Sequence, residues 1–253
     1  MSAVMTPSPP NSWHMLRALG GMGIFCGLLI ALVFQATLPS IQRNRAAALE
    51  QAVFQVLPGA QNQTAFLLNK DGALSRLEPK TNSSEEKKAA EKTTTKNKTT
   101  ADGQRLYAGY NSEGTLVGIA VEAIGQGFQE NIRLIYGYDP VRQLVIGMAV
   151  LESRETPGLG DKIIKDSNFL ANFAALDLSL NTTKDGLEHA VVAVKNGQKQ
   201  QPWEIDGITG ATVSSQAVAA IIDASAAQLA PALADQIDRL TGPETGKQGK
   251  DDG

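Results

Sequence analysis

Asp206-Gly-Ile-Thr-Gly-Ala-Thr212 runs directly into the apolar segment Val213-Ser-Ser-Gln-Ala-Val-Ala-Ala-Ile-Ile222. The Gly-Ala turn sets the Thr212 hydroxyl at the mouth of a predicted helix. The first N–H groups of a helix lack intrahelical acceptors, and the helix dipole adds partial positive charge, so this spot suits a phosphate. Thr before an apolar helix is also a common N-cap, with no chemistry attached. The seven-residue form, with Asp206, Thr209 and Thr212 at fixed spacing, is more specific than Gly-Ala-Thr alone.

A second stretch, Glu155-Thr-Pro-Gly-Leu-Gly-Asp-Lys162, follows the strongest strand pattern in the chain. Pro157 fixes one φ angle, while Gly158 and Gly160 allow unusual dihedrals and close approach of a flat ligand. An ordinary strand-to-helix turn would use the same residues. Lacking the third glycine of GxGxxG, the stretch is weak evidence for a dinucleotide site.

The composition excludes several other chemistries. Cys26 is the only cysteine, so there is no intrachain disulfide, no CxxC pair and no cysteine cluster for zinc or iron–sulfur. His14 and His189 lie far apart, and neither HExxH nor GxSxG occurs. A net charge of −3 without a clustered basic face sets nucleic acid aside.

The elements that must position these residues read as α+β. Leu49, Ala52, Val53 and Val56 form one helical stripe ending before Pro58-Gly59. Thr64 to Leu68 reads as a short strand before the Asp71-Gly72 turn. From Arg105 to Glu152 the apolar period is near two. Strands over 106–110, 116–124, 132–138 and 144–151 are separated by turn signals at Glu113-Gly114, Gly125-Gln-Gly127 and Asp139-Pro140. Short connections make these neighbours antiparallel. Asp161 to Phe173 reads as a helix with Ile163, Ile164 and Leu170 inward, Val191 to Val194 as a strand, and Thr212 to Ala230 as a helix. Strands followed by helices give the α+β class, with a mainly antiparallel sheet. The Ser, Thr, Lys and Glu-rich segment 82–100 is too polar to offset its ordering entropy and reads as a disordered insertion. Residues 241–253 read as a flexible tail.

Leu19 to Leu38 carries no charge over twenty residues, about 30 Å as a helix and the thickness of a bilayer core. Ten of these residues are Leu, Ile, Val or Phe, each favouring insertion by roughly 0.3–0.6 kcal/mol. The segment reads as an uncleaved single-span anchor. Residues 1–18 would form its short tail, 39–60 a juxtamembrane helix, and 61–240 the soluble domain. Gly23, Gly27 and Ala31 line one face of the anchor, where another helix could approach closely. Arg17 on one side and Arg43 and Arg45 on the other leave its orientation undecided by charge.

Three segments in the same order carry a family resemblance: Gly125-Gln-Gly-Phe-Gln-Glu-Asn-Ile-Arg-Leu-Ile-Tyr-Gly137, Glu155 to Lys162, and the Thr212 motif. Together they resemble the G subunits of the Rnf (Rsx) ion-translocating electron transport complexes. These belong to the FMN-binding domain family and are related to the C subunit of the sodium-pumping NADH:quinone reductase. The similarity spans the anchor, the juxtamembrane helix and residues 104–225. Two departures are the long 82–100 insertion and Ser153, where the family often has His.

The resemblance implies an electron-carrying flavoprotein with one FMN per chain, joined through a phosphoester to Thr212. It implies a separate flavin transferase using FAD as donor, with Asp206 and Thr209 presenting the loop. Gly210 and Ala211 would leave room around the phosphate, with Ser215 beside them. Glu155, Thr156, Pro157, Gly158, Leu159 and Gly160 would border the isoalloxazine ring. The implied setting is a bacterial inner membrane with the soluble domain in the periplasm, beside other membrane and iron–sulfur subunits of the complex. Two other readings stand against it. One is a membrane-anchored FMN-binding sensor, which should carry further spanning or signalling segments. The other is a cofactor-free anchor whose Thr212 only caps a helix.

Overall fold

The computed structural model of the chain describes residues 12–69, 74–77, 104–234, 236–237 and 240. The segment 82–100, the tail 241–253 and the first eleven residues lie outside the described residues. The chain divides into two units, residues 1–48 and 49–253.

The first unit is helical. Helix α1 runs over Ser12–Val56, so the apolar anchor and the expected juxtamembrane helix are one element with Pro39 inside it. A proline removes one backbone hydrogen bond. Just ahead of it the Thr37 hydroxyl donates to the carbonyls of Val33 and Phe34, at 2.9 and 3.1 Å. The large apolar side chains from Leu19 to Leu38 are exposed along this helix. That belt is unfavourable in water and suited to lipid, and α1 is long and apolar enough to cross a membrane.

The second unit begins with the last two turns of α1 and is built on a sheet. Strands β1 (Asn62–Leu68), β2 (Leu74–Arg76), β3 (Gln104–Tyr110), β4 (Leu116–Gln126), β5 (Asn131–Asp139), β6 (Leu144–Glu152) and β7 (Leu176–Asp177) form it. They pair antiparallel in the order β2-β1-β3-β4-β5-β6-β7. The period-two expectation for β3 to β6 agrees with the structure to within two residues at each end.

Alternation along the strands sorts side chains to two faces. Ile119, Val121, Ile132, Leu134 and Tyr136 point into the larger core, which helix α4 (Thr212–Ala234) covers with Val218, Ile222 and Leu229. Tyr136 also shares a 3.0 Å hydrogen bond with Ser225 of that helix. The opposite face, with Ala120, Ile135 and Ala149, receives Ala52, Val53, Val56 and Leu57. Glycines make the close approach possible there. A Cβ on Gly137 would collide with the Val56 carbonyl oxygen, and one on Gly147 would lie 2.8 Å from it.

Between β6 and α4 the elements are short, and one expectation is corrected. The predicted helix from Asp161 to Phe173 is broken into α2 (Lys162–Lys165), α3 (Ser167–Ala171) and a 3-10 turn over Asn172–Ala174. Asp166 is the reason: its backbone is extended, and its carboxylate accepts from the amides of Asn168 and Phe169, both at 3.0 Å. Aspartate competes with the helix in this way and starts a new one. The break leaves Ile164 exposed and Leu170 half-buried, and it puts Ile163, Phe169 and Phe173 into the core. Strands β8 (Val192–Val194) and β9 (Glu204–Asp206) then pair parallel in a separate two-stranded sheet, before the chain enters α4.

Candidate functional site

Thr212 is the first residue of α4 rather than its cap. The Ala211 carbonyl accepts the first intrahelical bond, from Ser215 N at 2.9 Å, so Ala211 holds the N-cap position. Gly210 has φ +83, a left-handed conformation that lets the chain turn into the helix. The Ser215 hydroxyl closes the turn by donating to Ala211 O at 2.9 Å and accepting from Ile208 N at 3.1 Å. The Thr212 side chain is exposed and makes no hydrogen bond among the described residues.

Glu155 is the hub of the neighbouring wall. It is buried, with 6% of its surface exposed. Its Oε1 accepts from the amides of Phe128 and Gln129, at 2.8 and 3.3 Å, and its Oε2 accepts from the Ser214 hydroxyl at 2.6 Å. One side chain therefore ties the β4–β5 turn, the end of β6 and the first turn of α4 together. Gly160 is required beside it: a Cβ there would lie 2.7 Å from Glu155 Oε2 and 2.8 Å from Ser214 Oγ. A Cβ on Gly127 would collide with Glu155 Oε1. The Gln129 side chain adds a bond to Thr156 Oγ1 at 3.0 Å. Gly158, at φ +78, turns away and donates its amide to Asp161 Oδ1 at 2.7 Å.

The loop on the other side of Thr212 is organised by Asp206 and Asn172. The Asp206 carboxylate accepts from the amides of Gly197 and Gln198, at 2.6 and 3.3 Å. It shapes the turn after β8 rather than facing Thr212. Buried Asn172 holds the Asp206 backbone at both ends, accepting from its N–H at 3.0 Å and donating to its carbonyl at 3.2 Å. Asn196 donates to Gly207 O at 3.0 Å, which fastens the same turn to the start of the motif.

Two clefts result, and Gly210 and Thr212 line both. The first, about 360 Å³, counts Lys195, Asn196, Gln198, Thr209 and Gln216 among its lining residues. The second, about 300 Å³, is lined by Phe128, Glu155, Thr156, Leu159, Val213 and Ser214, among others. Phe128, Leu159 and Val213 are each at least half exposed, so the second cleft has an apolar rim above a buried carboxylate. Of the residues singled out in the sequence, Glu155, Thr156, Leu159, Gly160, Gly210, Ala211 and Thr212 meet there. Thr209 and Ser215 line the other cleft. Asp206, Pro157 and Gly158 line neither and act on the turns. Sequence reasoning missed Phe128, Val213 and Ser214. The Gly125-x-Gly127 pattern just before Phe128 was a usable signal. Ser214 carried none, because its partner is 59 residues away.

Residues 127–227 match the FMN-binding domain, a span that contains both walls of the clefts. The chain is 29% identical over 202 residues to the G subunit of the ion-translocating oxidoreductase complex of Shewanella baltica, covering 77% of this chain and 78% of the relative. It is 36% identical over 112 residues to the protein of the same name from Methanosarcina acetivorans, covering 44% and 51%. Among solved structures, NqrC of Shewanella oneidensis superposes with a TM-score of 0.52 at 20% identity, over 71% of this chain and 85% of that one. The C subunit of the Na(+)-translocating NADH-quinone reductase of Parabacteroides distasonis gives 0.54 at 21%, over 78% and 96%. Residues 127–227 are thus similar to the FMN-binding domain, and over 77% of its length the chain resembles the G subunit of an ion-translocating oxidoreductase complex.

Proposed function

We propose that this chain is the electron-carrying flavoprotein subunit of a membrane complex that couples electron transfer to ion translocation, with one FMN joined covalently to Thr212. The observation that carries the reading is the unbonded, exposed Thr212 hydroxyl on the edge shared by the two clefts. A side chain that merely capped the helix would accept from a backbone amide of the first turn, and the Thr212 hydroxyl accepts from none among the described residues.

The residues present fit the cofactor. The apolar rim of Phe128, Leu159 and Val213 suits a flat ring, and the start of α4 suits the phosphate. Bound there, FMN supplies one- and two-electron carriage. The protein's part is to hold the ring in a fixed place and tune its potential. Attachment needs a transferase and FAD: the Thr212 hydroxyl gives up its proton to the transferase's base, its oxygen forms a bond to the flavin-side phosphorus, and the pyrophosphate bond to AMP breaks. An alcohol is a weak nucleophile without an adjacent base, and Thr212 has no hydrogen-bonded base among the described residues, so external catalysis is the economical route. A covalent bond removes dependence on free FMN, which suits a domain on the periplasmic side of a bacterial inner membrane. Helix α1 is the anchor in this reading, and the other membrane and iron–sulfur subunits are the electron partners.

The test is fluorescence of the denatured polypeptide. Wild-type chain made with a flavin transferase should keep flavin fluorescence through a denaturing gel, and Thr212→Val, nearly isosteric, should lose it while the domain still folds. Fluorescence retained in that variant would refute the attachment site.

A further inference from the structure

Glu155 is a buried carboxylate whose three hydrogen bonds do not need its charge. A glutamine there could accept from Phe128 N and Gln129 N through Oε1 and donate its amide to Ser214 Oγ, in nearly the same shape. Burying a charge is costly unless a cation pairs with it. Among the described residues no Lys or Arg forms an ion pair with Glu155, and the adjacent Arg154 turns instead to Glu130, 3.3 Å away. Two glycines, Gly127 and Gly160, are kept without side chains around this carboxylate. In place of a cation, two backbone amides and one hydroxyl donate to its oxygens, which favours the charged form, while a neutral amide could keep nearly the same shape. The group lines the cleft rimmed by Phe128, Leu159 and Val213, which Thr212 also lines.

We infer that Glu155 is a potential-setting residue: a fixed negative charge that makes the flavin seated in this cleft harder to reduce. The inference rests on the flavin reading above. Reduction places negative charge on the ring, and a carboxylate held nearby in a poorly screened site opposes it. Gly127, Gly160 and the three donors hold that carboxylate in one place, so its effect is built into the resting domain. The Ser214 hydroxyl partly offsets the charge, because a hydrogen bond to a carboxylate spreads it.

The experiment uses the full chain in detergent, flavinylated by a transferase with FAD, and titrates the flavin spectroscopically at one fixed pH for all variants. At a fixed ambient potential, Glu155→Gln should show on the order of tenfold more reduced flavin than wild type, because removing a negative charge from the cleft favours the reduced ring. Ser214→Ala, which leaves the carboxylate less well compensated, should shift the opposite way. A potential unchanged or lowered in Glu155→Gln overturns the inference. Where that variant takes up too little flavin to titrate, Ser214→Ala decides: an unchanged or raised potential overturns it. The denaturing gel distinguishes absence of the flavin from absence of an effect of Glu155 on it. A wild-type chain without fluorescence sinks the flavin reading itself, whereas fluorescent chains with the wrong shifts sink only the role of Glu155.

Discussion

The sheet and the segment 153–215 of the second unit are held together by different forces. Strands β3 to β6 contribute Leu106, Ile119, Val121, Ile132, Leu134, Ile135 and Tyr136, each with about 1% of its surface exposed or less. Their stability comes from area removed from water, about 1.5–3 kcal/mol for each large side chain. Across the site, long regular elements are missing, and buried polar groups take over. Of the five buried polar residues described, Glu155, Asn172, Ser214 and Ser215 lie there, and only Asp139 lies on the sheet. Packing is non-directional and tolerates small shifts, whereas hydrogen bonds fix a position and an orientation. A scaffold can rely on the first; a site that must present one hydroxyl between two clefts needs the second.

This contrast can be broken by substitution. The largest expected effect is on the sheet. Leu134→Ala should lower the unfolding free energy of the full chain by about 2–5 kcal/mol, since a fully buried side chain leaves a cavity that neighbouring strands cannot fill. In chains that remain folded, flavin loading should be close to normal. A loss under about 1 kcal/mol by denaturant titration would contradict the picture of a packed face.

Asn172→Ala should show the reverse profile. It leaves the Asp206 N–H and carbonyl without their partners, at a cost of about 1–3 kcal/mol. The loop ahead of Thr212 loses its fastening, so the fraction of chain carrying flavin should fall several-fold even under conditions where the domain is fully folded. Equal loss of loading in Leu134→Ala and Asn172→Ala, matched for stability, would remove the distinction between scaffold and site.

The smallest effect separates the one buried polar group of the sheet from those of the site. Asp139 is held below the usual carboxylate range. Burial pushes it up, but the Arg142 amide, the Arg142 guanidinium at 2.6 Å and the Val141 amide together outweigh that. Because the folded value is the lower one, its contribution is present above the ordinary Asp range and is lost as pH falls through that range toward the folded value. Stability of the wild-type chain should therefore decline on acidification, and Asp139→Asn should flatten that limb slightly while leaving flavin loading untouched. An identical pH profile for the two chains would show that the β5–β6 turn gains nothing from the charge.

Much of this molecule follows from its sequence alone. Apolar residues at period two placed β3 to β6, and the apolar run after Thr212 placed α4, because local alternation encodes which side of an element is buried. The absence of charge from Leu19 to Leu38 marked the apolar helix in the same local way. What only the tertiary structure decided is where the polar groups point. The Asp206 carboxylate turns to Gly197 and Gln198, Asp166 breaks an expected helix, β8 and β9 pair parallel, and Glu155 meets Ser214 across 59 residues. A hydrogen bond between distant residues depends on how the whole chain closes. Hydrophobic periodicity carries no record of that closure, so the sequence marked Glu155 and Thr212 as candidates, and the fold made them neighbours.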